Sequence, residues 1–85
     1  MRIDLFLKLA GIIKTRSRAK RACDGGYVVL NGSPAKASSA VSLGDVLEVE
    51  GARGRRRRIR VDAIPATRQV SRKDRGGLYT ELDGD

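Results

Sequence analysis

Residues 14–32 read KTRSRAKRACDGGYVVLNG, and this stretch changes character halfway along. Its first eight positions hold five positive charges, while Ala19 and Cys23 recur at the spacing of one helical face. A glycine pair then stands where a helix commonly ends. The β-branched run that follows leads to an Asn-Gly pair, which tolerates the positive φ angles of a tight hairpin, and Pro34 restricts the returning strand to a sheet edge. The stretch therefore predicts a short basic helix that leads into a β-hairpin.

The segments on either side of this stretch complete the predicted fold. Residues 4–14 carry apolar side chains at helical spacing, and Asp4 stands where an N-cap residue would accept a hydrogen bond from the first turn. Residues 46–50 and 58–64 alternate between apolar and charged side chains, as strands with one buried face do. We expect an α+β domain over residues 1–64, with two short N-terminal helices packed on a small, mostly antiparallel β-sheet.

The arginine run RRRR at residues 55–58 leads into the second of these strands. Pairing the two strands sets Glu48 and Glu50 opposite arginines of the run, which accounts for part of its charge. Arg55 and Arg57 have no acidic neighbour that the sequence assigns. Two interpretations stay open for this pair: a secondary electrostatic contact with RNA, or a solvated strand edge.

The length and charge of the chain bound its function. Eighty-five residues form one small domain whose core leaves no room for a deep substrate cavity. Residues 65–85 show little periodicity and predict a mostly mobile C-terminal tail, in which LYTEL (78–82) is the segment able to dock. The formal charge of +8 points to a polyanionic partner, above all a nucleic acid. Residues 1–43 hold eight basic and two acidic side chains, so most of the excess lies in the N-terminal half.

The residue types argue against several classes of protein. The chain has no histidine and a single cysteine, Cys23, which leaves no imidazole base, no internal disulfide and no thiolate zinc site. We therefore expect a protein that is not an enzyme and that uses neither a metal nor another cofactor. No run approaches the roughly 18 apolar residues of a membrane span, and a lone thiol fits a reducing cytoplasm. We expect no membrane partner.

The start of the basic helix is the best candidate for a binding site. Arg16 and Lys20 lie one turn apart, and the free N–H groups of a helix start favour an anion. Arginine adds a planar fork that matches phosphate oxygens. The predicted phosphate-binding cluster comprises Thr15, Arg16, Ser17, Arg18, Lys20 and Arg21. An ordinary solvated helix face is the alternative, although Asp24 is the one acid within a turn of these cations.

Several motifs, in this order, make the chain similar to a known family. RIDLFL (2–7), TRSRAKRACDGGYVVLNG (15–32), AK (35–36) and SLGDVLEV (42–49) resemble the RNA-binding domain first named in small-subunit ribosomal protein S4. Three longer segments also resemble small, stand-alone bacterial factors of ribosome-associated quality control: MRIDLFLKLAGIIKTRSRAK (1–20), NGSPAKASSAVSLGD (31–45) and the closing LYTEL (78–82). The arginine run and the acidic end ELDGD depart from that pattern.

This resemblance implies a function, partners and a set of site residues. Such factors bind the large ribosomal subunit that still holds peptidyl-tRNA after a stalled ribosome has split, while an RqcH-type tailing factor adds C-terminal alanines. We thus expect a monomer in the bacterial cytoplasm, with large-subunit rRNA, tRNA and the RqcH-type factor as partners. The positions that match the family's RNA-facing surface are Arg2, Asp4, Thr15, Arg16, Ser17, Lys20, Arg21, Asn31 and Lys36. Asp4 is compatible with two roles: an N-cap, or a carboxylate that orients Arg2 or Arg16.

Other functions stay open as alternatives. A heat-shock-type factor that recycles ribosomal subunits would share the domain, but such factors tend to carry a longer basic C-terminal extension. A module that works with an RNA-modifying enzyme normally shares its chain with a catalytic domain, which 85 residues cannot hold. A DNA-binding helix-turn-helix protein would place its cations along the second helix and not at the turn. A membrane-binding protein would need an aromatic and apolar face opposite its lysines.

Overall fold

The computed structural model describes residues 1–66 and 70–82 and consists of short helices packed on a single β-sheet. The helices and strands are α1 (Ile3–Leu9), α2 (Arg16–Asp24), β1 (Val28–Leu30), β2 (Ser33–Pro34), β3 (Val46–Glu50), β4 (Arg56–Val61), α3 (Arg72–Arg75) and β5 (Tyr79–Glu81). The strand order is β2-β1-β3-β4-β5, and each neighbouring pair is antiparallel. The predicted α+β class is confirmed. Within the described ranges, every helix is too short or too polar to cross a bilayer.

The core lies between α1, α2 and the inward face of the sheet. Alternate residues of β3 are buried, so Leu47 and Val49 face the helices while Glu48 and Glu50 face outward. The largest fully buried side chains are Phe6, Ile3, Leu7, Leu47, Ile59, Val28 and Val61. Phe6 is the one aromatic residue in this set, so the core is built chiefly from aliphatic side chains, as the composition predicts.

Both N-terminal helices end at a glycine in the left-handed region. Gly11 follows α1 with φ +74°, and its N–H donates to the carbonyl of Lys8. Gly26 follows α2 with φ +82°, and its N–H donates to the carbonyl of Cys23. Each bond belongs to a Schellman motif, which needs a positive φ that glycine adopts without steric cost. The predicted end of α2 is confirmed, whereas the helix predicted over residues 4–14 is shorter because Gly11 turns the chain.

The start of α1 is held chiefly by a loop, and Asp4 is not its N-cap residue. The N–H of Ile3 donates to the carbonyl of Ser39 at 2.8 Å, and the N–H of Asp4 donates to that of Ala37 at 3.3 Å. The N-cap position belongs to Arg2, whose side chain makes no capping bond. The prediction of Asp4 as the N-cap is therefore wrong. Backbone carbonyls accept from the first two N–H groups of α1, and the Asp4 carboxylate accepts from the third, that of Leu5, while it also contacts other side chains.

The two predicted hairpins are present in the sheet. Asn31 and Gly32 have φ angles of +49° and +88°, the paired positive values of a tight turn between β1 and β2. β3 and β4 pair so that Glu48 lies opposite Arg58 and Glu50 opposite Arg56. The predicted position of both glutamates opposite the arginine run is confirmed.

The C-terminal segment contributes a fifth strand to the same sheet. Residues 79–81 pair with β4, and the N–H of Leu82 donates to the carbonyl of Arg58 at 2.7 Å. Leu78 is buried in the core, and its carbonyl accepts from the N–H of Asp62. The predicted docking of LYTEL is confirmed. Residues 72–75 form a helix and residues 79–81 a strand, although the sequence shows little periodicity there, and residues 67–69 and 83–85 of the predicted tail lie outside the described residues. One apolar anchor and the open edge of β4 are enough to hold this segment.

Candidate nucleic-acid interface

A buried carboxylate lies at the centre of the candidate site. Asp4 is 2% exposed, and its Oδ1 accepts hydrogen bonds from the N–H of Leu5 at 2.8 Å and from Nε of Arg2 at 3.2 Å. Its Oδ2 accepts from Nη2 of Arg2 at 3.2 Å and lies 3.5 Å from Nε of Arg16. One carboxylate therefore contacts two arginines, one just before α1 and the other at the start of α2. This geometry matches the second role predicted for Asp4.

The two arginines keep much of their surface open to solvent. The side chain of Arg2 is 49% exposed and that of Arg16 is 39% exposed, whereas the side chain of Asp4 is 3% exposed. Two cations thus face outward over one buried anion, which leaves a net positive charge. Guanidinium groups that are already fixed in position bind an anion with less loss of side-chain entropy than mobile ones do.

The turn before α2 uses one of the predicted hydroxyl groups for its own structure. Thr15 is the N-cap residue, and its Oγ1 accepts a hydrogen bond from the N–H of Arg18 at 3.1 Å. Its Oγ1 also lies 3.4 Å from Oγ of the exposed Ser17. The N–H groups of Arg16 and Ser17 have no acceptor within the helix, because the first turn of any α-helix lacks one. Ser17 and these N–H groups are open to a ligand, whereas Thr15 is chiefly a cap.

The remaining cations of α2 do not all share one face. Lys20 lies one turn after Arg16 on the same ridge of the helix, and Arg21 lies on the next ridge. Arg18 projects about 160° away from Arg16 around the helix axis, at 3.6 residues per turn. Lys20 and Arg21 are both exposed, and neither forms an ion pair within the described residues. By the same spacing Arg21 lies about 140° from Arg16, so it forms the outer edge of the arginine cluster, Arg2, Arg16, Lys20 and Arg21, and Arg18 lies beyond that edge.

Lys36 and Asn31 differ in how close they lie to this cluster. Lys36 is exposed and directly precedes Ala37, whose carbonyl meets the N–H of Asp4. Asn31 lies at the tip of the β1–β2 hairpin, where its Oδ1 accepts from the N–H of Val46 at 2.8 Å. Its Nδ2 donates to Asp45 at 3.1 Å. Lys36 therefore borders the arginine pair, whereas the side chain of Asn31 joins the hairpin to β3.

Comparisons with known proteins agree with this geometry. The family model described as the S4 domain matches residues 1–47, which include the whole arginine cluster. The chain is 43% identical over 74 residues to a protein of Helicobacter pylori named RQC P-site tRNA stabilizing factor, and 87% of each chain is covered. The Bacillus subtilis protein of that name is 51% identical over 49 residues, 58% of this chain and 57% of that one.

The chain belongs to the S4-domain family. Within this family it groups with the RQC P-site tRNA stabilizing factors. A solved structure, the trimeric Heat Shock Protein 15 of Vibrio cholerae, superposes with a TM-score of 0.86 and is 31% identical; the match covers 96% of this chain and 81% of that chain.

The arginine run lies outside the matched S4-domain residues, and two of its four arginines lie close to carboxylates within the described residues. Nε of Arg57 donates to Oε1 of Glu81 at 2.9 Å, and its Nη2 donates to the hydroxyl of Tyr79 at 3.3 Å. Arg56 lies 3.8 Å from Glu48 and 3.7 Å from Glu50. The expectation that Arg57 has no acidic neighbour is therefore wrong. The partner escaped prediction because Glu81 is 24 positions away on β5, a strand of three residues.

Arg55 has no acidic neighbour within the described residues, as the sequence predicts. It is exposed and stands directly before β4, and it forms no ion pair within the described residues. The proposed secondary contact with RNA thus loses Arg57 as an unpaired cation and keeps Arg55.

Among the described residues of this S4-domain protein, local contacts shift the pKa values of Cys23, Arg57 and Asp62. Burial raises the pKa of the Cys23 thiol to about 11, and the negative charges of Asp4 and Asp24 act in the same direction. Burial favours a lower pKa for Arg57, but its hydrogen bonds to Glu81 and Tyr79 outweigh that effect and the pKa is raised. The hydroxyl of Thr80 and then Arg60 lower the pKa of Asp62 by donating hydrogen bonds to it. None of the three lies in the arginine cluster.

Proposed function

We propose that this protein binds large-subunit rRNA and peptidyl-tRNA during ribosome-associated quality control and takes part in it as a non-enzymatic factor. Its relatives of 43% and 51% identity are named RQC P-site tRNA stabilizing factor, and the S4 domain covers the arginine cluster. The observation that carries the proposal is the pair Arg2 and Arg16, fixed by the buried Asp4 and open to solvent. An aromatic-poor cationic surface suits recognition of folded RNA through its backbone.

The proposed mode of action is stabilisation of the bound tRNA while an RqcH-type factor extends the stalled chain with alanines. The cluster Arg2, Arg16, Lys20 and Arg21 contacts phosphates, and Lys36 extends the footprint along the loop that meets α1. Ser17 and the N–H groups at the start of α2 add hydrogen-bond donors. The protein acts as a monomer in the bacterial cytoplasm, and Arg55 adds a peripheral electrostatic contact.

The test uses a double variant of α2. Arg16→Ala with Lys20→Ala removes two cations of the cluster, and we expect it to abolish co-sedimentation with large ribosomal subunits that carry peptidyl-tRNA. Arg58→Ala with Lys73→Ala is the matched control, because it also removes one exposed arginine and one exposed lysine from elsewhere on the chain. Circular dichroism establishes that both variants fold. Equal sedimentation of the Arg16/Lys20 variant and the wild type would refute the proposed interface.

A second candidate is ribosomal subunit recycling by a heat-shock-type factor, the alternative that the sequence leaves open, and the chain superposes on a protein named Heat Shock Protein 15. The two functions differ in their effect on stalled chains. Under the quality-control proposal, a bacterial cell that lacks this protein makes fewer alanine tails on stalled products. Under the recycling alternative, the tails are unchanged while separated large subunits that hold peptidyl-tRNA accumulate.

A further inference from the structure

A second basic site lies outside the arginine cluster. A pocket of about 340 Å³ is lined by Lys8, Gly11, Ile12, Ile13, Lys14 and Arg75. All three of its charged residues are cations, and they come from separate parts of the chain: the last turn of α1, the loop before α2, and the end of α3. This convergence is not visible in the sequence, because 61 positions separate Lys14 from Arg75.

Arg75 is held in this pocket by close packing on the backbone. A Cβ atom added to Gly11 would lie 3.1 Å from Cδ of Arg75 and 3.5 Å from its Nη1, so the glycine lets the side chain approach. The Nε of Arg75 is buried and has no hydrogen-bond partner within the described residues. A buried donor without an acceptor lowers stability, and such a group points to a ligand that supplies one.

Among the described residues, those that line this pocket include three cations and no carboxylate. Asp74 is next to Arg75 in the sequence, but its Oδ2 accepts a hydrogen bond from Oγ of Ser71 at 2.7 Å. The C-terminal end of α1 attracts cations, which favours the position of Lys8 in the last turn. The helix end does not provide an acceptor for Nε of Arg75, and three positive charges still share one pocket. An anion would satisfy the donor and offset the repulsion.

We propose that Lys8, Lys14 and Arg75 bind a phosphate of an RNA backbone, as a second contact of the RNA that the arginine cluster engages. This inference rests on the proposed function. Lys14 precedes Arg16 by two residues, so their Cα atoms are at most about 7 Å apart and one strand can reach both sites. The guanidinium fork of Arg75 supplies directed hydrogen bonds to phosphate oxygens, and the two lysines add charge.

The experiment measures binding as a function of salt concentration, with fluorescently labelled bulk bacterial tRNA in one arm and purified large subunits in the other. Arg75→Gln removes the charge and keeps most of the length of the side chain. For whichever RNA supplies the phosphate, the tRNA or the large-subunit rRNA, we expect this variant to bind about 5- to 10-fold more weakly at low salt. The slope of log affinity against log salt becomes shallower by about 0.7–0.9 for one lost phosphate contact. Lys73→Gln, two residues away and exposed, is the matched control and keeps the wild-type slope.

Three outcomes overturn this second site. The first is that Arg75→Gln keeps the wild-type affinity and salt slope with both tRNA and large subunits. Arg75 would then be a packing residue, even if the variant unfolds at a different temperature. The second is an equal loss of affinity in Lys73→Gln and Arg75→Gln, because the change in overall charge would then explain both. The third concerns Lys14→Gln, which changes an exposed loop residue and repeats the test if Arg75→Gln does not fold. Wild-type binding by Lys14→Gln excludes this pocket as a phosphate site.

The variant Arg16→Ala with Lys20→Ala separates this inference from the proposed function. Loss of binding in that variant, with wild-type binding by Arg75→Gln, refutes only the second site. Wild-type binding by both refutes the proposed function as well.

Discussion

Replacing Asp4 by asparagine tests whether the buried carboxylate organises the site, because charge and geometry predict effects of opposite sign. The substitution raises the net charge of an already basic protein by one unit, so electrostatics alone predicts tighter binding of RNA. The structure predicts weaker binding. Oδ1 and Oδ2 of Asp4 hold Arg2 at 3.2 Å, and Oδ2 lies 3.5 Å from Arg16. A neutral amide binds two guanidinium groups much less strongly.

The magnitude follows from the number of side chains released. Fixing one long side chain at an interface costs about 0.5–1.5 kcal/mol, so two freed arginines cost about 1–3 kcal/mol of binding free energy. This corresponds to about 5- to 150-fold weaker affinity. The effect on folding is smaller, because Arg2 and Arg16 are 49% and 39% exposed and solvent screens their ion pairs with Asp4. We expect a loss of about 1 kcal/mol, or about 4–8 °C in Tm.

The assay is fluorescence anisotropy with labelled bulk tRNA, repeated by co-sedimentation with large subunits. Asp24→Asn is the matched control, since it makes the same chemical change at an exposed acid at the end of α2. We expect its affinity to equal or exceed that of the wild type. The reasoning is refuted by an Asp4→Asn protein that binds as tightly as Asp24→Asn, because net charge alone would then explain both.

Two further predictions concern α2. Thr15→Ala removes the cap that accepts from the N–H of Arg18 and should destabilise the protein by about 1 kcal/mol in urea unfolding, whereas Thr15→Ser should not. The thiol of Cys23, with its pKa raised to about 11, should react with a disulfide reagent at pH 8 only after unfolding. The folded pKa of Cys23 exceeds the unfolded value of 9.0, so deprotonation of the thiol favours the unfolded state. The contribution of the neutral thiol to folding stability is therefore complete below pH 9 and is lost as the pH approaches 11. Between pH 9 and 11, the urea midpoint of Cys23→Ala should fall less steeply with pH than that of the wild type. Equal slopes in the two proteins would contradict the raised pKa of Cys23.

Features set by neighbouring residues were predictable from the sequence. The Asn31-Gly32 turn and the glycine end of α2 depend on φ angles that few residue types adopt, so their signals are local. The register of β3 on β4 follows from alternation over five and six residues. The position of Arg16 and Lys20 on one ridge follows from helical spacing alone.

Features that depend on distant segments were not predictable in this way. Asp4 lies near the start of α1, where a carboxylate is a common cap, and nothing in the neighbouring sequence shows that the carbonyls of Ala37 and Ser39 meet the first turn. β5 has only three residues and shows no periodicity, so its pairing with β4 depends on the burial of Leu78. In both places the loop or edge that completes the structure is far away along the chain.

The charge of the second half of the chain shows why a count of arginines does not locate the interface. Arg56 lies near Glu48 and Glu50, Arg57 near Glu81, and Arg60 donates to Asp62 at 2.9 Å. Within the described residues, two of the four arginines of the most conspicuous basic run are therefore paired with carboxylates of neighbouring strands.

The N-terminal half has fewer arginines, and its acid at the cluster is buried. Because Asp4 is under Arg2 and Arg16 and not beside them at the surface, it directs their charge outward while it fixes their positions. A binding surface for a polyanion needs cations that are both exposed and held, and a buried anion supplies the second property without removing the first. The proposed interface thus depends on the depth of the Asp4 carboxylate more than on the number of cations around it.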